Sequence, residues 1–409
     1  MKIAIISSSF FPVTDGVTVA VLNRVKQLSG LGYRVKLFCP DYSVIENIYP
    51  DWRDYTGDIL PGVEVINLPS SPSIGLDFER DFTGKCYRLI EQELAVFQPD
   101  LIHVDEAERI GICMLKLAGV KFAHQHKIPC VAFFHTNYLE YLDDYFSLPW
   151  GLNWVIKKLL GWIFTKIYNA YDLTLVSSSV TYEKLQQMGI RNLRCDDLLG
   201  CDRDGYLNLV KSPNFWQEQY NLPAIENKIK LIFLGRLTPD KGWSFALEAF
   251  KDLSPEILAQ VAFIIVGDGN MKQDIERILK QLTPDVYSLG RIAPESVPLL
   301  LKNGDIFVTN SEKETRGLTV MEAAAAGIPA IAPRAGGVID TIKDGETGFL
   351  YQPQDTRDFL RKLSLLISDA DLRQSLGKQA QKVIKKYSWE QTVNNLVTIW
   401  SEQISDSQY

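Results

Sequence analysis

Residues Ser311–Gly337 read SEKETRGLTVMEAAAAGIPAIAPRAGG, a stretch in which Glu314 and Glu322 stand with seven residues between them. Between the two acids lies a glycine-bearing turn, Arg316-Gly317-Leu318, and beyond them a small-residue helix ends at Gly327-Ile328-Pro329. With Thr319 onward helical, Glu322 is expected in the first turn, where unpaired N–H groups and the helix dipole favour bound anions. Glu314 then lies on the loop just outside, facing the same ligand. One carboxylate can accept hydrogen bonds from sugar or ribose hydroxyls. The other can sit beside a centre that becomes positive, as an anomeric carbon does when its phosphate leaves. Two solvated glutamates on an amphipathic helix would be the plainer account. It leaves Gly317, Gly327-Ile328-Pro329 and Gly336-Gly337 without a purpose.

The same strand–turn–helix grammar extends outward in both directions. Short β-branched and aliphatic runs predict strands at Lys2–Ile6, Arg34–Phe38, Val63–Leu68, Leu101–Val104, Cys130–Phe134 and Leu173–Val176. A second series follows at Lys230–Leu234, Ala262–Val266, Val286–Leu289, Asp305–Thr309, Ala330–Ala332 and Gly348–Tyr351. Near-continuous apolar runs mark parallel strands covered on both faces. Their alternation with helices gives an α/β fold of two Rossmann-like, doubly wound domains. The polar, irregular stretch Gly200–Pro223 reads as the linker, so residues 1–202 and 203–387 are the expected domains, followed by a terminal helix within 388–409. Sheets of this kind bind ligands at the carboxyl ends of their strands, which predicts a central cleft.

Composition narrows the function classes. A chain of 409 residues accommodates two full cores, and 46% hydrophobic with 23% charged residues describes a folded protein. A net charge of −7 argues against a nucleic-acid partner, which calls for a basic face. Six cysteines form no CxxC pair, and most fall within apolar runs, as reduced core thiols do. No uncharged run approaches ~18 residues, and the first apolar stretch suits a strand rather than a signal segment. The expected setting is a reducing, cytoplasmic-side compartment, with any membrane contact peripheral.

Gly235-Arg236 closes a predicted strand and is followed by Lys241-Gly242. Arg236 offers a bidentate fork for phosphate oxygens and Lys241 a compact charge, as a departing diphosphate requires. Val266-Gly267-Asp268-Gly269-Asn270 also follows a strand, but Lys272 stands where a dinucleotide fingerprint needs its third glycine. Near the N-terminus, Gly16 between the first strand and first helix would let the backbone approach a phosphate. Asp202-Arg203-Asp204 and Asp369-Ala370-Asp371 have the D-x-D form of metal-binding transferases, yet neither follows a strand, and solvated acids are the better reading.

Glu314 and Glu322 together with the G-R-x-x-x-x-K-G run at 235–242 closely resemble the retaining GT-B glycosyltransferases of family four. The resemblance spans nearly the whole chain. It implies a UDP-sugar donor, no required metal or other cofactor, and a final helix that crosses back onto the first domain. It further implies that Glu314 stabilises the oxocarbenium ion, Arg236 and Lys241 neutralise the diphosphate, and Glu322 binds the ribose. Gly16, Gly235, Gly267, Arg291, Ile292, Gly317 and Leu318 join them on the donor side, those near the base mainly through backbone groups. Arg316 occupies a place where the family often has an aromatic residue. Same-face attack assisted by the leaving phosphate and double displacement both remain open.

His135 ends a predicted strand in the run HTNYLEY (His135–Tyr141), and a histidine there can donate to a sugar hydroxyl. This run, with DEAERIG (Asp105–Gly111) upstream, resembles more narrowly the galactolipid-forming members of the family. That implies α-galactose as the transferred group and a membrane glycerolipid as acceptor, contacted by Asn137, Tyr138, Glu140 and Tyr141, with sulfoquinovosyl or glucosyl transfer to diacylglycerol, or a soluble sugar transferase, as the alternatives. The stretch Tyr145–Tyr171 carries Lys157, Lys158 and Lys166 among apolar residues. Read as a helix, it sets Val155, Ile156, Leu159, Leu160, Ile163 and Ile167 in a stripe flanked by Trp154, Lys158, Trp162 and Lys166. Such a helix lies either in an anionic membrane surface or in the core with snorkelling lysines.

Overall fold

The computed structural model describes residues 1–73, 76–145, 149–202 and 204–407. Phe146–Leu148 of the expected membrane-facing stretch, and Arg203 at the expected domain boundary and within the first D-x-D, lie outside the described residues. The chain forms two compact units.

The first unit comprises Met1–Leu139, Pro149–Gly200 and the final helix Trp389–Asp406. Its strands are β1 (Lys2–Ser7), β2 (Arg34–Pro40), β3 (Gly57–Leu60), β4 (Val63–Leu68), β5 (Ser70–Ser73), β6 (Leu76–Phe82), β7 (Leu101–Asp105), β8 (Cys130–Phe133), β9 (Leu173–Val176) and β10 (Leu193–Cys195). Eight of them make one sheet in the order β10-β9-β8-β7-β1-β2-β4-β3, all pairs parallel except β3 with β4. The order reverses between β1 and β7, the topological switch point at which such sheets bind ligands. Strand β5 pairs β6 in a separate antiparallel hairpin. The final helix packs its Trp400, with no exposed surface, edge-on to His103 of β7.

The second unit holds Cys201–Ser388 with a short stretch that begins at Glu140. Its strands are β11 (Ile229–Leu234), β12 (Val261–Val266), β13 (Val286–Gly290), β14 (Ile306–Val308), β15 (Ala330–Pro333) and β16 (Gly348–Tyr351). All run parallel in the order β13-β12-β11-β14-β15-β16, so the switch point lies between β11 and β14. Central strands β11, β12 and β14 are buried along nearly their whole length, as a sheet covered on both faces requires.

All twelve expected strands form, with ends shifted by a residue or so. The four that the sequence did not announce, β3, β5, β6 and β10, are short or polar edge segments without an apolar run. The expected linker requires correction. After Cys201 the chain builds the helix Phe215–Tyr220, whose Phe215 and Trp216 join Tyr206 and Ile225 in the core of the second unit. Interlocked rings of Phe215, Trp216 and Tyr220 supply enough buried surface to outweigh the polar residues around them.

Cys39, Cys86, Cys130 and Cys201 are buried thiols, none of them in a disulfide. Among the described residues no helix is long and apolar enough to cross a membrane.

Candidate active site

Of the residues expected on the donor side, all but Gly16 lie in the second unit, most of them just beyond the carboxyl ends of its strands. Strands β11, β12 and β13 end in stacked glycine turns: Gly235 donates its N–H to the Val266 carbonyl, and Gly267 donates to Gly290. Gly267 has φ of 132° and lies so close to its neighbour that a Cβ would sit 1.9 Å from the Gly235 carbonyl oxygen. Only glycine fits there. From these turns Arg236 reaches the buried Asp240 at 3.2 Å, and its guanidinium lies 6.0 Å from the Tyr141 ring centroid. Lys241 Nζ donates to Glu314 Oε1 at 2.7 Å, with each side chain about one-fifth exposed. The sequence assigned these two residues separate tasks; the structure places them in contact. Arg291 is exposed beside Asp268 at 3.8 Å, and Ile292 packs partly into the core.

Backbone packing fixes the loop bearing Glu314. Gly337 donates its N–H to the Glu314 carbonyl at 2.7 Å, and a Cβ on Gly337 would meet the Thr315 carbonyl oxygen at 1.9 Å. Gly317 caps the helix Leu318–Ala326, whose first residue, Leu318, is partly buried. One expectation needs correction here. The helix begins before Thr319, so Glu322 is its fifth residue and stands one turn in, beyond the free N–H groups of the terminus. Arg316 turns inward: it is buried, its guanidinium 4.8 Å from the Tyr387 ring and 3.9 Å from Asp340. Burial pushes the Glu322 carboxyl up to about 7. The buried Tyr206, whose hydroxyl has no partner among the described residues, lies within the electrostatic reach of Glu322.

In the first unit, charged side chains converge on the switch point between β1 and β7. Asp105, fully buried at the end of β7, accepts from Arg24 Nη1 at 2.8 and 3.0 Å. His135 Nε2 lies 2.7 Å from Asp105 Oδ1, and His103 Nε2 lies 3.2 Å from the same oxygen. Burial opposes the charge of Asp105, but Arg24 and the histidine contacts outweigh it and hold the carboxyl well below its usual range. Burial takes His103 down to about 4 against the pull of Asp105, so it is neutral. Glu106, next in the chain, accepts from the hydroxyls of Ser8, Thr136 and Tyr138.

Arg109 binds Glu79 at 3.0 Å and Asp81 at 2.7 Å, fastening the β5–β6 hairpin. Tyr138, expected to serve an acceptor, already engages Glu106 through its hydroxyl, and Asn137 is buried. The backbone carbonyl of Glu140 accepts from Lys313 Nζ at 2.9 Å. Gly16 opens the first helix, and Asp15 takes the Thr18 N–H at 2.9 Å in a capping box, so one terminal donor is already engaged.

Sequence reasoning noted DEAERIG yet gave Asp105 and Glu106 no part in the site. Two acids at the carboxyl end of a buried strand were the available signal. Arg24, on an ordinary amphipathic helix, gave none.

The helix Trp150–Tyr168 divides the expected apolar stripe. Ile163 and Ile167 turn into the core beside Phe164, while Val155 and Leu159 are exposed with Leu152, Trp154 and Trp162. Lys158 and Lys166 share that open face and lie 5.7 Å from the Trp154 ring and 6.0 Å from the Trp162 ring. Lys157 is only partly exposed and sits about 100° around the helix from Lys158, so it does not belong to this face.

Residues 14–196 match the model of Glycosyltransferase Family 4, and residues 214–383 match Glycosyl transferases group 1. The chain is a family-four glycosyltransferase with the GT-B fold.

A sulfoquinovosyl transferase (SQD2) of Arabidopsis thaliana is 32% identical over 73% of this chain and 56% of its own length. The chain thus spans little more than half of that relative. An alpha-monoglucosyldiacylglycerol synthase of Acholeplasma laidlawii is 24% identical over 99% of this chain and 98% of its own length. Among solved structures, Anabaena HepE in complex with UDP-glucose shares the fold with a TM-score of 0.73, at 19% identity, covering 98% of this chain and 100% of that one.

Proposed function

We propose that the protein is a retaining transferase that moves an α-hexosyl group, galactose by the HTNYLEY run, from a UDP-sugar to a membrane glycerolipid. The acceptor read from that run is monogalactosyldiacylglycerol, giving digalactosyldiacylglycerol. The observation that carries the reading is the Lys241–Glu314 contact at the switch point, which joins a cation for diphosphate to a carboxylate for the sugar. In this assignment Arg236 and Lys241 neutralise the departing diphosphate without a metal, Glu314 stabilises the oxocarbenium ion, Glu322 holds the ribose and His135 contacts the transferred sugar. The diacylglycerol-linked product in the name of the Acholeplasma relative supports a glycerolipid acceptor.

Product analysis with a panel of UDP- and GDP-sugars, against diacylglycerol and its monoglycosyl derivatives, tests the assignment. Turnover confined to a water-soluble acceptor would rule it out.

Glu322 gives the reading a pH signature. Its carboxyl titrates near 7 rather than in the usual carboxylate range, because burial disfavours the charge. The ionised form is the better acceptor for ribose hydroxyls, so UDP affinity should rise with pH up to about 7 and level off above. Calorimetry from pH 5.5 to 8 should show this rise in the parent and its loss in Glu322→Gln. An equal rise in the variant would remove Glu322 from the ribose contact.

The open face of Trp150–Tyr168 supports peripheral attachment to an anionic membrane on the cytoplasmic side. Trp154 and Trp162 are 55% and 61% exposed, and each has a lysine beside its ring. Each lysine near an anionic surface adds about 1 kcal/mol, and the buried rings and aliphatic groups add more. Lys158→Glu with Lys166→Glu should lower sedimentation with anionic liposomes at least tenfold while UDP affinity stays constant. Undiminished sedimentation would mean that the lipid is met elsewhere.

A further inference from the structure

Asp105 ends β7 at the switch point, Glu106 follows it, and together they grip the His135–Tyr138 segment. Glu106 holds Thr136 and Tyr138 by their hydroxyls, and its N–H donates to the Phe133 carbonyl at 3.0 Å. To do so it adopts φ of 56°, a left-handed conformation that costs a side-chain-bearing residue about 1 kcal/mol or more. Asp105 Oδ1 faces His135 Nε2 at 2.7 Å from a site with no exposed surface, with Arg24 as its counter-ion. Stability does not demand this arrangement, since well-packed apolar residues commonly replace a buried ion pair at no loss. What it specifies is the state of an imidazole.

We propose that Asp105 is a positioning residue that holds the His135 ring with a proton on Nε2, directed at the carboxylate. A carboxylate bound to one ring nitrogen sets which nitrogen carries the proton and fixes the ring's orientation. Arg24 keeps Asp105 ionised, and Trp400 closes over His103 on the same network. The inference rests on the proposed reading of His135 as a contact to the transferred sugar.

Long-range proton–nitrogen spectra of histidine-labelled protein, assigned with His135→Gln, read the tautomer directly and without substrate. The expected result is an Nε2-protonated His135 in the parent. In Asp105→Asn, Arg24 engages the amide oxygen and turns the NH2 group towards His135, so the ring should switch to Nδ1–H. The rate constant kcat should fall roughly a hundredfold, with UDP affinity unchanged. Asp105→Asn added to His135→Ala should cost nothing further, because a residue that acts through His135 has nothing left to position.

A His135 protonated on Nδ1 alone in the parent would overturn the proposal even if the Asn variant failed to fold. So would an additive loss in the double variant. Full activity in His135→Ala would instead count against the transfer-site reading, and the tautomer result would stand apart from it.

Discussion

Replacing Lys241 by alanine is expected to lower kcat/KM by about 2–4 kcal/mol, roughly a hundredfold in rate, the scale set by removing one preorganised charge stabiliser. The cation is lost where negative charge grows on the leaving diphosphate. Glu314 also loses the ammonium that meets it at 2.7 Å, so its charge faces the donor without compensation. Arg236→Ala should show a loss of the same order, because its guanidinium projects from the adjoining glycine turn and is held by Asp240. Calorimetry with UDP separates binding from chemistry. Parent-like UDP affinity in both variants would remove the two residues from the diphosphate site.

The second large effect falls on stability. Gly267→Ala should destabilise the second unit by about 3 kcal/mol or more, because two costs add. A φ of 132° is essentially closed to a residue with a Cβ, and the new methyl would lie 1.9 Å from the Gly235 carbonyl oxygen. For a unit of this size that corresponds to a fall in Tm of roughly 6–12 °C. Differential scanning calorimetry should show the transition of the second unit moving down. A parent-like Tm would mean that the turns ending β11 and β12 can separate freely.

How far the sequence could be read depended on the range of the interaction. Buried parallel strands announce themselves because both faces are covered, so Ile3–Ile6 and Val261–Val266 show as unbroken apolar runs. The donor loop was legible for a similar reason: Gly235, Gly267 and Gly337 are required by backbone close to them in space, and their spacing survives in the chain.

Misreadings arose where tertiary packing decided the outcome. Polar composition made Gly200–Pro223 look like a linker until Phe215 and Trp216 found the core. A helix start misplaced by one residue put Glu322 in the wrong turn. The Lys241–Glu314 contact joins residues far apart in sequence, as does Asp105 with Arg24 and His135. No periodicity reports such pairs. Composition alone grouped Lys157 with Lys158, whereas helical spacing and exposure set it on another face.

Retention is the central claim, since it follows from the placement of Glu314 and distinguishes this chemistry from a single inverting displacement. Proton NMR of the first product formed from an α-linked UDP-sugar and a glycerolipid acceptor measures it directly. The account predicts an α-linked hexosyl group from the earliest time point. A β-linked product would contradict it and the roles assigned to Glu314, Lys241 and Arg236.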